Sequence, residues 1–166
     1  MADRLLIAVL GKRNSGKSTT WNRLFDSPVR TVRHERSLYL NCAQKVDVFL
    51  ISGSPEERVR NVSELLPDPP PQIVLCSTQY HKDVRKTFDY FFSNSYEVFV
   101  QWLIPGYSDE KVYQDTLGIK DYLLNNGATL QLRDGQVDPA SRIKELRQFI
   151  LGWTKHRDLV ETEFPG

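Results

Sequence analysis

The chain has 166 residues, of which 40% are apolar and 26% are charged, and its formal net charge is +1. This composition is typical of one folded domain with a hydrophobic core, so we predict a single domain over residues 1–166. The longest apolar run, Leu5 to Leu10, is far shorter than the roughly 18 residues of a membrane span, and no cleavage site follows it. We therefore expect no membrane segment and no signal peptide, and the near-zero charge argues against broad nucleic-acid affinity.

The two cysteines predict the redox environment. Cys42 and Cys76 stand in separate apolar runs, and neither belongs to a CxxC or Cys/His group of the kind that binds metal. We expect both to be buried free thiols in a reducing cytoplasm.

Apolar runs alternate with helical patterns along most of the chain, which favours an α/β layer structure with a largely parallel sheet. A strand at Arg4–Leu10 is followed by a helix at Lys17–Phe25. Two strands, at 36–42 and 45–52, are joined by too few residues for a crossover helix, so we predict an antiparallel hairpin. The remaining predicted elements are a helix at 54–66, a strand at 72–78, a helix at 82–92, a strand at 96–103, a helix at 109–126, a strand at 128–135 and a helix at 140–160.

The helix predicted at 54–66 has a clear start signal. Ser54 is suited to cap it, Pro55 to occupy its first position, and Glu57 to close a capping box. The proline-rich stretch at 67–71 ends it.

Residues 11–18, GKRNSGKS, match G-x-x-x-x-G-K-[ST] at every fixed position, between a predicted strand and a predicted helix. Gly11 and Gly16 allow the backbone amides to converge on a phosphate at a helix N-terminus. Lys17 is expected to reach the β- and γ-phosphates, and the Ser18 hydroxyl to ligate Mg²⁺. The nucleotide-binding residues that we predict are Gly11, Asn14, Ser15, Gly16, Lys17, Ser18 and Thr19.

Charge supports this prediction. Residues 1–36 hold eight Lys or Arg against three acids, so positive charge gathers around the loop. Such clustering suits a polyphosphate ligand, although a solvated basic face would give the same pattern.

The stretch GKRNSGKST resembles the first motif of the translation-factor-related GTPases, whose Era- and dynamin-like members read GxxNxGKST there. The order of predicted elements is similar as well. The resemblance implies a three-layer P-loop NTPase fold, with one antiparallel strand from the hairpin, and a bound nucleoside triphosphate with Mg²⁺. Lys17 and Ser18 would be the phosphate lysine and the metal ligand.

Two family motifs are missing. The second hairpin strand should end in DxxG, but Ser52 stands in the place of the carboxylate, and the guanine-reading NKxD is replaced by IPGYSD at 104–109. Glu56 or Glu57 remains able to reach the metal, and Trp102 or Tyr107 to stack on a base. GTP preference is therefore unsupported, and ATP and GTP both stay open.

Catalysis is assigned to Lys17, Thr31 and Glu56. Thr31 has a suitable place for the threonine that senses the γ-phosphate, in a polar loop at 27–36, where Arg30 or Arg33 would stabilise charge in phosphoryl transfer. Ser77, Thr78 and Gln79 end a strand where a polar side chain would orient water.

Three functions follow. The first is a slow NTPase or nucleotide-dependent switch, and the second is a non-hydrolysing nucleotide-binding module that recruits a protein partner. The third, a small-molecule kinase, is disfavoured because the isolated Arg133 and Arg142 make a poor lid.

Overall fold

In the computed structural model, which describes residues 3–29 and 33–162, the chain folds around a seven-stranded sheet. The strands are β1 (Arg4–Gly11), β2 (Arg33–Tyr39), β3 (Gln44–Ile51), β4 (Ile73–Gln79), β5 (Tyr96–Leu103), β6 (Thr129–Arg133) and β7 (Glu161–Thr162). The helices are α1 (Lys17–Phe25), α2 (Pro55–Arg58), α3 (Val62–Leu65), α4 (Val84–Ser93), α5 (Ile119–Asn125) and α6 (Ala140–His156).

The strand order is β2-β3-β4-β1-β5-β6, and β7 pairs with the start of β3. β1 is parallel to β4 and β5, and the pairs β3–β4 and β5–β6 are parallel too. β2 is antiparallel to β3. The prediction of an α/β chain with a mostly parallel sheet and one antiparallel hairpin strand is confirmed, and the two-residue β7 adds a second antiparallel pair. Because β3 and β6 lie on opposite sides of β1 in this order, the loops that follow them approach the end of β1 from opposite sides.

Helices cover both faces of the sheet. Alternate residues of β1 belong to two separate hydrophobic clusters, as the two-residue period of a strand requires. Leu5 and Ile7 face the cluster that contains apolar residues of α1 and α6, whereas Leu6 and Ala8 face the cluster of α3, α4 and α5. The buried central strands are therefore near-continuous apolar runs, as expected for a sheet covered on both sides.

The single helix predicted at 54–66 is wrong. Two short helices form instead, and the chain breaks between them at Val59, which has φ 52° and is 90% exposed. The capping box is absent, because no side chain caps α2. The break allows Glu56 to bond the backbone N–H of Gln79 and the hydroxyl of Thr87, while α3 buries its own apolar residues. These tertiary contacts override the local helical signals.

The helix predicted at 109–126 begins only at Ile119. The Asp115 carboxylate accepts the backbone N–H groups of Ile119 and Lys120 and so fixes the start of α5. Its predicted C-terminal glycine is confirmed, because Gly127 has φ 85°.

Smaller differences concern the hairpin and the last helix. β2 begins at Arg33, within the range predicted as a loop at 27–36, and α6 ends at His156 and not at 160. Cys42 is exposed in the hairpin connection, contrary to expectation, whereas Cys76 is buried. Within the described ranges, no helix is long and apolar enough to cross a membrane.

Candidate functional site

The loop between β1 and α1 is held in an unusual backbone conformation. Asn14 has φ 60° and Gly16 has φ 106°, a left-handed value that favours glycine. The N–H of Ser15 bonds the Lys12 carbonyl at 3.2 Å. α1 then starts at Lys17 with no side-chain cap and no acid in its first turn. Its N-terminal amides and positive dipole end are therefore available to an anion.

Two further loops pack against this one around Ser15. A Cβ on Gly11 would lie 2.3 Å from Ser15 Oγ, one on Gly106 would lie 2.4 Å from Ser15 Cβ, and one on Gly135 would lie 2.8 Å from the Ser15 carbonyl oxygen. That carbonyl accepts the N–H of Tyr107 at 2.9 Å. The loops after β1, β5 and β6 thus meet at one point, and glycine is needed there because a side chain would collide with the loop.

These loops surround a cavity of about 700 Å³, which we call the loop cavity. Its lining residues come from the loop and α1, from the segment after β3, and from the loops after β5 and β6. Six predicted nucleotide-binding residues line it: Asn14, Ser15, Gly16, Lys17, Ser18 and Thr19. Gly11, the seventh, packs behind Ser15 and does not line the cavity.

Lys17 is buried at the edge of the loop cavity. Its Nζ donates to the carbonyls of Gly11 and Lys12, both at 3.0 Å, and lies 3.7 Å from Oε1 of Glu57. Burial lowers the pKa of the Lys17 ammonium, and the carboxylates of Glu57 and Glu56 oppose that shift. The ammonium therefore lies in a place where further negative charge would stabilise it.

The structure separates the two adjacent acids. Glu57 lines the loop cavity, whereas Glu56 turns away from it and accepts hydrogen bonds from the N–H of Gln79 and the hydroxyl of Thr87. Burial raises the pKa of Glu56, although those two hydrogen bonds counteract the shift. Of these two adjacent acids, the one that lines the cavity beside Lys17 is Glu57, and not the predicted Glu56.

The oxygen donors around the cavity suit a hard divalent cation. Ser18, Ser52, Ser54 and Glu57 all line it, and Mg²⁺ typically takes one or two carboxylates or hydroxyls together with phosphate oxygens and water. Among the described residues no group of three His, Cys, Asp or Glu is able to hold a metal by itself. These residues therefore fit a metal that arrives with a phosphate ligand better than a resident one.

Three buried polar atoms around the cavity have no hydrogen-bond partner within the described chain. They are Ser15 Oγ, Ser54 Oγ and Arg142 Nε. Buried polar groups are nearly always paired with protein or water, because an unpaired one costs about 1–3 kcal/mol. All three belong to residues that line the cavity.

The far end of the cavity lies between the loops after β5 and β6. Tyr107 is 70% exposed and lines it, together with Ser108 and Val137. Trp102, the other aromatic candidate, is buried and donates its indole N–H to the Tyr113 hydroxyl at 2.8 Å. Asp109 accepts the N–H of Gly106 at 2.8 Å and so is engaged within its own loop.

The other predicted residues lie elsewhere. Ser77 accepts the indole N–H of Trp21, Thr78 donates to the Val9 carbonyl, and neither lines the loop cavity. The backbone N–H of Gln79 donates to the Glu56 carboxylate. Thr31 and Arg30 lie outside the described residues, and Arg33 donates to the Glu64 carbonyl on the surface.

Sequence reasoning missed three site residues, Gly106, Gly135 and Arg142. Single glycines in loops and an arginine inside a helix are common on any protein surface. Nothing in their local sequence distinguishes them, because their role depends on contacts with Ser15 and α1 across more than 90 positions of the chain.

Comparison with models of known protein families gives no match, and a search of curated proteins finds no significant relative.

Proposed function

We propose that the protein binds a nucleoside triphosphate with Mg²⁺ in the loop cavity, its phosphates held by residues 11–18. One observation carries this proposal: seven consecutive residues, 13–19, line a cavity of about 700 Å³ at the uncapped start of α1. Backbone amides at a helix N-terminus, a left-handed glycine and a buried lysine are the groups that bind polyphosphate. The volume suits a nucleotide-sized ligand.

Each part of the ligand has a counterpart in the cavity. Lys17 would exchange its contact with Glu57 for phosphate oxygens, and that exchange would relieve the cost of its burial. The Ser18 hydroxyl would ligate Mg²⁺, with Glu57 replacing the missing carboxylate at position 52. When bound, the metal would neutralise charge on the phosphate oxygens.

The nucleobase would lie against Tyr107 on the side of the cavity formed by the loops after β5 and β6. Stacking on an aromatic ring tolerates any base. Because Asp109 already accepts the Gly106 N–H, we propose no selective reading of guanine by this acid.

Hydrolysis would be slow. The reason is that Glu57, the acid that lines the cavity on the proposed metal side, is already paired with Lys17. The predicted Thr31 stays a prediction.

A second candidate function is a non-hydrolysing module that recruits a protein partner, and it is favoured by the engagement of Glu56 away from the cavity. A cytoplasmic location also stays a prediction, now supported by the free thiols of Cys42 and Cys76.

Isothermal titration calorimetry with ATP, GTP, CTP and UTP, with and without Mg²⁺, tests the proposal. Binding of at least one triphosphate by the wild type, weakened about tenfold or more in Lys17→Ala, is the expected result. No binding of any triphosphate would refute it. Phosphate release measured at high protein concentration then separates the two candidates: release that Lys17→Ala abolishes supports a slow NTPase, and binding without release supports the recruiting module.

A further inference from the structure

Arg142, on the first turns of α6, is a buried arginine at the wall of the loop cavity. Only 4% of its surface is exposed. Its Nη1 donates to Thr20 Oγ1 at 2.5 Å and to Gln101 Oε1 at 3.2 Å, while its Nε has no hydrogen-bond partner among the described residues. Both acceptors are neutral, so neither of these two hydrogen bonds balances the charge of the guanidinium.

The surroundings of this charge are unfavourable for a cation in the free protein. Across the described residues no carboxylate forms an ion pair with Arg142, and the charged group that affects it is Arg23. Burial, with a smaller contribution from Arg23, lowers the pKa of the Arg142 guanidinium to about 10. A buried charge without a counter-ion costs several kcal/mol, so it is normally paired.

The guanidinium of Arg142 points toward the loop between β1 and α1. A Cβ on Gly16 would lie 3.7 Å from Arg142 Nη2, which places this nitrogen against the left-handed turn where α1 begins. Thr20, which accepts from Arg142, in turn donates to the Gly16 carbonyl at 2.9 Å. Arg142 thus contacts the loop through a short chain of hydrogen bonds and also lines the cavity.

Arg142 and Glu57 flank the loop from opposite sides. Glu57 follows β3 and Arg142 follows β6, and these strands lie on either side of β1 in the sheet. Lys17 turns toward Glu57. A ligand that placed its outer phosphates at Lys17 would therefore present its remaining charge toward Arg142.

We propose that Arg142 is a ligand-binding residue whose guanidinium pairs with a phosphate oxyanion in the loop cavity, on the side of the loop away from Glu57. This inference rests on the proposed function, because the nucleotide is the source of that phosphate. A separate inorganic phosphate offers the same chemistry, and the experiment distinguishes the two.

The test compares Arg142→Met with a matched control, Arg147→Met. Arg147 lies on the same helix and also contacts α1, through the carbonyls of Arg23 and Leu24, but it does not line the cavity. We expect Arg142→Met to bind the preferred triphosphate about tenfold more weakly or worse, and Arg147→Met to bind it as the wild type does. Arg142→Lys, which keeps the charge, should recover part of the affinity, and it takes over the test if the methionine variant does not fold.

Thermal unfolding of the ligand-free proteins separates ligand binding from a structural role. Because Arg142→Met removes an uncompensated charge, we expect its melting temperature without ligand to equal or exceed that of the wild type, while the rise on adding triphosphate shrinks. A lower melting temperature together with unchanged triphosphate affinity would overturn the inference and leave the proposed function standing.

The same melting-temperature measurement with inorganic phosphate decides the remaining outcomes. If triphosphate affinity is unchanged and only a phosphate-induced rise in melting temperature is lost in Arg142→Met, the nucleotide contact is overturned. If the wild type binds no triphosphate, the proposed function fails, and phosphate alone then tests Arg142: a rise seen only in the wild type supports an anion site, and equal rises or none overturn it.

Discussion

Oε1 of Glu57 lies 3.7 Å from Nζ of Lys17, so a carboxylate faces the ammonium that the sequence assigns to phosphate. In the free protein this carboxylate provides the negative charge that a phosphate would supply on binding. Glu57 therefore has two opposed effects in the proposed account: it competes with the ligand for Lys17, and it assists the ligand by holding Mg²⁺.

Glu57→Gln should separate those effects. Without Mg²⁺, we expect triphosphate to bind about two- to fivefold more tightly to the variant than to the wild type, because the competing charge is gone; the factor is small since Glu57 is partly exposed. With Mg²⁺ we expect the wild type to bind triphosphate more tightly than the variant, because Glu57 then holds the metal. Calorimetry with and without the metal measures both, and Glu35→Gln, at an exposed position on β2, is the control. Equal Mg²⁺ dependence in Glu57→Gln and wild type would exclude Glu57 as a metal ligand.

Gly106→Ala should damage the site from a distance of 91 positions in the chain. The new methyl group would lie 2.4 Å from Ser15 Cβ and 2.7 Å from Ser15 Cα, so the loop must move. We expect the melting temperature to fall and triphosphate affinity to drop by about tenfold or more. Gly152→Ala is the control, since a Cβ there meets none of the described residues within 4 Å; inside α6 it should stabilise the protein by about 0.5–1 kcal/mol. Normal ligand affinity in Gly106→Ala would show that the three-loop junction is not needed for the site.

Tyr107→Ala tests the position of the base. Because the side chain is 70% exposed, its loss should leave the melting temperature of the free protein unchanged. Removing one stacking surface should weaken triphosphate binding about five- to tenfold, whereas inorganic tripolyphosphate should bind both proteins equally. Tyr107→Phe should bind as the wild type does. Parallel losses for nucleotide and tripolyphosphate would contradict base stacking at this residue.

Glu56 should make stability depend on pH. Burial raises its pKa in the folded protein above the unfolded value, so folding favours the protonated form. Its contribution is therefore most favourable below the unfolded pKa, near 4.5, and is lost as the pH rises through the folded pKa. Glu56→Gln keeps an acceptor for the Gln79 N–H and does not ionise. Chemical denaturation across pH 4.5–8 should show the wild type losing stability relative to the variant as the pH rises; a constant difference would show that Glu56 is not responsible.

Much of the framework could be predicted from local sequence. β1, α1, β4, β5 and the hairpin follow from apolar periodicity and connection length, and the loop from glycine and lysine at fixed spacing. These signals are local, and tertiary contacts reinforce them.

The errors have tertiary causes. The 54–66 segment carries good helix signals, yet the chain breaks at Val59, where α2 is held by the contacts of Glu56 with β4 and α4. The turn of α2 directs the adjacent acids Glu56 and Glu57 to different places, so the predicted Glu56 lies outside the cavity lining. The place of Arg142 at the site has no local signal, because its burial depends on the packing of α6 against α1 and β5.

The central claim is that residues 11–18 hold the phosphates of a nucleoside triphosphate, and backbone amide NMR tests it most directly. A titration with a non-hydrolysable triphosphate and Mg²⁺ should shift the amide resonances of Gly16, Lys17 and Ser18 most strongly, with smaller shifts at 106–109 and 135–138. Shifts confined to other regions, such as the smaller cavity of about 270 Å³ beside Thr87, or no shifts at saturating ligand, would contradict the account.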